Sequence, residues 1–168
     1  MGLQVPWVHS AEDAANAVRY VKYQPEGVRG LAGVRAADYN QRGSMAEYIA
    51  KANHETMVIA QVESEQSVRN IHEIVKTPGA DVIFIGPADL SNSFGVPGDL
   101  KCPKMQEVFK CIVDAVTRSD KALGIMVGNV GMAREWQERG ARYILTTTEA
   151  MLGPACKEYL RNVRPTTV

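Results

Sequence analysis

The sequence predicts an α/β domain built on a parallel sheet, and three observations carry that prediction. Short β-rich apolar runs alternate along the chain with longer segments whose apolar residues recur at helical spacing. The runs are almost continuously apolar, the pattern of strands covered on both faces, where a half-wetted strand would alternate. The chain has 168 residues, 45% of them hydrophobic, which is enough to build a core without disulfides or a structural metal.

The first strand is expected over residues 3–8. Ser10 and Asp13 then form an S-x-x-D box that starts a helix through Ala14, Ala17, Val18 and Val21. Turn residues from Pro25 to Gly43 form a loop, followed by a short helix over 45–52 and a second strand over 57–62. Val68, Ile71, Ile74 and Val75 share one face of a helix over 66–76, which Pro78-Gly79 closes. The third strand is 82–85, and the Gly/Pro/Ser-rich stretch 86–103 reads as a long loop. A helix over 107–119, a strand over 123–127, a helix over 132–139 ended by Gly140, a strand over 143–147 and a helix over 150–160 complete five βα units. Residues 1–162 form one domain and 163–168 a frayed tail. Two architectures fit, a doubly wound open sheet and part of a (β/α)8 barrel. The absence of a G-x-G-x-x-G or P-loop pattern weakens the nucleotide-binding versions of the first.

Nineteen basic residues balance nineteen acidic ones, and the pI is near 6.8, so nothing favours a nucleic-acid or anionic-membrane partner. No apolar run approaches the ~20 residues that span a bilayer, and the first residues lack a basic and apolar leader pattern, so the expectation is a cytoplasmic protein. Cys102, Cys111 and Cys156, and likewise His9, His54 and His72, are too scattered for a disulfide framework or a metal motif.

In parallel α/β proteins the chemistry gathers at the carboxyl ends of the strands. The second strand ends Gln61-Val62-Glu63 and the third ends Gly86-Pro87-Ala88-Asp89, so two carboxylates leave neighbouring strand ends on one rim. Gln61 and Glu63 differ by two residues and point to the same face. Such a pair can act as general acid and base, can ligate a hard divalent ion, or can simply start helices, where acids are common. Gly86 lets a ligand approach the backbone, and the amides of Ala88 and Asp89 are placed to bind a carboxylate.

Gln61-Val-Glu63-Ser, followed by Phe84-Ile-Gly86-Pro-Ala-Asp89-Leu-Ser91, resembles the HpcH/HpaI aldolase family. Pro25-Glu-Gly-Val-Arg29-Gly30 before these strings and Gly124-Ile-Met-Val-Gly-Asn129 after them extend the resemblance over nearly the whole chain. It implies a (β/α)8 barrel that binds Mg²⁺, Mn²⁺ or Co²⁺ and makes or breaks a carbon–carbon bond between an aldehyde and pyruvate or a related 2-oxo acid. Carried over by motif, Glu63 and Asp89 are the metal ligands, Gln61 contacts substrate or metal-bound water, and the Ala88 and Asp89 amides hold the 2-oxo-acid carboxylate.

The resemblance also implies an incomplete site. Residues 4–8 look like the family's fourth strand, so the five units correspond to strands 4–8 of a barrel of typically ~250 residues. The family's general-base histidine, transition-state arginine and histidine-tuning acid belong to earlier units and have no counterpart here. His9 does not match that histidine and reads as a polar neighbour of the Ser10 cap. Arg29 is expected to order its loop and Arg35 to face the site or a partner subunit, with Trp7 and Trp136 as core or interface residues. Five strands leave two open edges and an uncovered inner face, so the chain is expected to self-associate or to pair with a missing N-terminal part. Two functions remain open: a metal-dependent aldolase, or a catalytically silent relative that binds metal and 2-oxo acid or serves in assembly.

Overall fold

The computed structural model describes residues 1–163. Its strands are β1 (Gly2–Val5), β2 (Met57–Val62), β3 (Val82–Ile85), β4 (Ala122–Met126) and β5 (Ala141–Leu145). All pair in parallel in the order β1-β2-β3-β4-β5. Each strand lies beside its predecessor, the winding of a barrel; a doubly wound sheet would reverse its order partway. The helices are α1 (Ala11–Val21), α2 (Met45–Glu55), α3 (Glu65–Arg69), α4 (Ile71–Ile74), α5 (Pro87–Ser93), α6 (Pro103–Thr117), α7 (Val130–Glu138) and α8 (Thr148–Val163), with a 3-10 segment over Arg35–Asn40.

Strand alternation sorts the apolar residues into two layers. Val62, Ile83, Ile85, Leu123 and Ile125 face the helices and form the main core with Ile71, Ile74, Leu90, Phe109 and Ile112. Ile59, Val82 and Phe84 face the other way and are buried as well, with Met57, Tyr143 and Leu145 packed on them. The inner face is therefore not left bare, as the strand count had suggested. Gly124 makes this possible, because its missing side chain lets the Phe84 and Tyr143 rings meet edge to face at 5.9 Å.

Several expected boundaries move, each for a local reason. β1 stops at Val5, not Val8, because Pro6 has no N–H and Trp7 adopts a left-handed conformation (φ 55°) before Val8 N–H bonds the Gln61 carbonyl at 3.1 Å. The helix expected over 66–76 is two short helices, broken at Asn70, whose side-chain amide donates to the His9 carbonyl at 2.8 Å. The first part of the expected 86–103 loop is helical, as α5. Pro87 sits at its first position, where no N–H is needed, and Leu90 and Ser91 are buried. The fully buried Ser91 hydroxyl donates to the Ala88 carbonyl and accepts from Gly98 N–H at 2.9 Å, folding the following turn back onto the helix. β5 begins two residues early, with an irregularity in its pairing beside Leu123 and Gly124. The helix expected over 150–160 extends to Val163 and buries none of its residues, leaving Met151, Leu152, Tyr159 and Leu160 exposed. The expected tail lies outside the described residues beyond Val163. Among the described residues no helix is long and apolar enough to cross a membrane. Cys102 and Cys111 are half-buried, Cys156 is exposed, and all three are free thiols.

The start of α1 follows the expected cap. Ser10 Oγ accepts from Asp13 N–H at 3.1 Å, while Asp13 Oδ2 accepts from the Ser10 hydroxyl at 2.9 Å and from His9 N–H at 3.0 Å. The Ser10 hydroxyl bond, foremost, holds the Asp13 pKa below the ordinary aspartate range. A depressed folded-state pKa contributes stability above the unfolded carboxylate value and loses it as pH falls through the folded value. Asp13→Ala is therefore expected to lower the urea midpoint at pH 7, with the gap to wild type narrowing below about pH 4; an undiminished gap in acid contradicts the capping account. Packing gives a second test. A Cβ on Gly124 would lie 2.9 Å from Phe84 Cδ2 and Val82 Cγ1 and 3.1 Å from Tyr143 Cδ1. Gly124→Ala is expected to cost about 1–3 kcal/mol in urea unfolding by overpacking the inner face.

Candidate metal and substrate site

The site grows from the ends of β1, β2 and β3. The register pairs Val62 with Ile85, so Glu63 emerges beside Gly86. Glu63 is only 1% exposed. Its Oε1 accepts from the Trp7 backbone N–H at 2.9 Å, and its Oε2 accepts from the Gln61 side-chain amide. No Lys, Arg or His lies within ion-pair distance of it among the described residues. Both of its oxygens thus accept hydrogen bonds from uncharged N–H groups. A buried carboxylate is tolerated only where partners replace its lost water, and both partners here are neutral.

Trp7 makes this possible by breaking its strand. Pro6 interrupts the ladder, the Trp7 amide that follows is aimed at Glu63, and the positive φ at Trp7 then turns the chain back before Val8. A bulky side chain in the left-handed region carries about 1–3 kcal/mol of strain, and such strain gathers at functional sites. Trp7 itself is half exposed, outside the core, whereas Trp136 is buried against Phe109 at a centroid distance of 5.2 Å.

Gly86 leaves the space that Glu63 and Gln61 occupy. A Cβ there would collide with Glu63 Oε2 and lie 2.8 Å from Gln61 Nε2. Gly86 also caps α5, whose first intrahelical bond runs from Leu90 N–H to the Gly86 carbonyl at 2.9 Å, so the N–H groups of Ala88 and Asp89 have no helical partner. Asp89 lies in the first turn of α5 with its side chain exposed. The helix-start reading thus describes Asp89 but not Glu63, which precedes the Ser64 cap of α3. Beside Ala88 opens a cavity of about 240 Å³ lined by Pro87, Leu100, Met126, Val127 and Thr147, nearly all apolar.

Glu63 and Asp89 both offer carboxylate oxygens, the donor chemistry that suits a hard divalent cation. Among the described residues no group of three or more His, Cys, Asp or Glu side chains is placed to hold a metal.

The other candidates lie elsewhere. His9 is tied into the helix starts, with Nδ1 at 2.7 Å from Ser64 Oγ, its N–H on Asp13 and its carbonyl on Asn70. Arg29 stacks over Tyr23 at 4.7 Å and lines a cavity with Met1, Glu55 and Thr56, at the amino ends of the strands and so opposite the Glu63 rim. Sequence reasoning missed the Trp7 amide and Gln4, whose Nε2 donates to Gln61 Oε1 at 2.5 Å. The proline before Trp7 was the available signal, because it ends the ladder and frees the next amide.

Comparison with known proteins identifies the family. Residues 1–152 match the model of the HpcH/HpaI aldolase/citrate lyase family. The 4-hydroxy-2-oxo-heptane-1,7-dioate aldolase of Escherichia coli is 34% identical over 152 residues, covering 89% of this chain and 57% of that protein. The hydroxypyruvate/pyruvate aldolase of Paraburkholderia phytofirmans is 36% identical, covering 96% and 64%. The crystal structure of an HpcH/HpaI aldolase/citrate lyase family protein from Burkholderia cenocepacia superposes with a TM-score of 0.89 at 36% identity, covering 97% of this chain and 65% of that one. The chain thus spans less than two thirds of each relative's length. By sequence, winding and rim it belongs to the HpcH/HpaI aldolase/citrate lyase family.

Proposed function

We propose that these residues form the metal- and carboxylate-binding half of an aldolase site for 2-oxo acids. The observation that carries this reading is the buried Glu63 carboxylate, hydrogen-bonded by neutral donors and lacking a cation. Glu63 and Asp89 would hold Mg²⁺, Mn²⁺ or Co²⁺. The ion would supply Lewis-acid chemistry, drawing negative charge onto the keto and carboxylate oxygens of pyruvate or a related acid. The unpaired Ala88 and Asp89 amides bind the substrate carboxylate, and the apolar cavity beside Ala88 takes carbon rather than charge. Gln61 holds Glu63 and presents its second amide hydrogen to substrate or metal-bound water. The relatives' names, a hydroxy-oxo-diacid aldolase and a hydroxypyruvate/pyruvate aldolase, support a 2-oxo acid and an aldehyde as reaction partners.

Among the described residues His9 is the histidine at this rim, and it is engaged in the helix starts rather than held ready as a proton acceptor. A base must come from outside these five units, and the exposed apolar residues of α8 support association with a second copy or with further barrel units. A silent binding module is the reading that remains if binding occurs without turnover.

Titration with Mn²⁺, with and without pyruvate, separates these outcomes. Pyruvate is expected to tighten Mn²⁺ binding. Glu63→Gln and Gly86→Ala, the latter placing a Cβ on the carboxylate, are each expected to weaken it by at least tenfold. Metal-dependent release of pyruvate from a 4-hydroxy-2-oxo acid then supports the aldolase, and binding alone supports the module. Mn²⁺ affinity unchanged in Glu63→Gln contradicts both.

A further inference from the structure

The chain of side chains behind Glu63 begins outside the site already described. Gln4 sits on the edge strand β1, and its Nε2 donates to Gln61 Oε1 at 2.5 Å. Gln61 Nε2 in turn donates to Glu63 Oε2. A primary amide has one donor end and one acceptor end, and nothing in Gln61 alone decides which end meets the carboxylate. Reversed, its carbonyl oxygen would face the Glu63 oxygen and repel it. The carboxylate therefore selects the NH2 end of Gln61, and Gln4, by donating to the carbonyl end, holds the amide in that pose, so every bond in the chain runs donor to acceptor towards the carboxylate. Such aligned bonds polarise one another. The Trp7 amide fixes the other Glu63 oxygen, so both oxygens keep a free lone pair for a ligand.

We propose that Gln4 is a positioning residue: by donating to Gln61 it locks the Gln61 amide with its NH2 towards Glu63, and so sets the orientation in which Glu63 meets a divalent cation. The proposal rests on Glu63 being a cation ligand. Gln4 touches neither cation nor substrate and acts only through Gln61. Groups one shell behind a ligand typically change metal affinity 10–100-fold when removed, and Gln4 stands one step further back.

A double-mutant cycle on Mn²⁺ binding reads the coupling. Gln4→Leu keeps the bulk of the side chain and removes its donor; it is expected to raise the Mn²⁺ dissociation constant roughly tenfold. In a Gln61→Leu background the same change is expected to have no further effect. Wild-type affinity in Gln4→Leu, or effects that simply multiply in the double variant, overturns the proposal while Glu63→Gln still reports whether Glu63 is the ligand. Wild-type protein that binds no Mn²⁺ overturns both. A metal-free readout stands beside the cycle and does not depend on the variant's folding: in wild-type protein one Gln61 side-chain amide proton is expected well downfield of a free amide. Two free-amide resonances overturn the proposal.

Discussion

The structure turns on one buried carboxyl group. Glu63 is removed from water, yet its partners are a backbone N–H and an uncharged side-chain amide. Holding a carboxylate in that way is unfavourable unless something positive joins it. The local departures from regular structure are arranged around it: the interruption of β1 at Pro6, the left-handed backbone of Trp7, and the missing side chain at Gly86 where α5 begins. Each is unfavourable or neutral in isolation, and together they make one polar recess at the carboxyl ends of three strands.

The sheet serves that recess by being stiff on both faces. Its outer layer packs against the helices through Ile83, Ile85, Leu123 and Ile125. Its inner layer, where a barrel interior would be, centres on Phe84, with the Tyr143 ring meeting it over Gly124. Because Gln4, Gln61 and Glu63 stand on that inner face next to packed rings, their polar chain runs along a rigid surface. α8 contrasts with this: it has an apolar surface and no buried residue.

Much of this was legible in the sequence. Strands β2 and β3 followed from unbroken apolar runs, and α1 from the Ser10 and Asp13 pair, because those signals are local. Glu63, Gln61 and Asp89 were reached from their places at strand ends and from the motif. What sequence reasoning missed depends on partners distant in the chain. Asn70 breaks a helix to reach His9, 61 residues away, and the Ser91 hydroxyl that anchors the turn after α5 is explained only by the carbonyl and amide it finds. Gln4 lies 57 residues from Gln61 and carries no motif. The burial of Phe84 on a face expected to be open likewise needed Tyr143 and Gly124 brought together by the sheet.

The central claim is that Glu63 and Asp89 share a divalent cation at this rim. Anomalous diffraction from crystals of the protein grown with Mn²⁺ and pyruvate tests it most directly. We expect a manganese peak bonded to both carboxylates at about 2.1 Å, close to the distance a small hard cation takes, with the pyruvate carboxylate on the Ala88 and Asp89 amides. A manganese peak that does not include Glu63, or a rim with no peak at saturating metal, contradicts it.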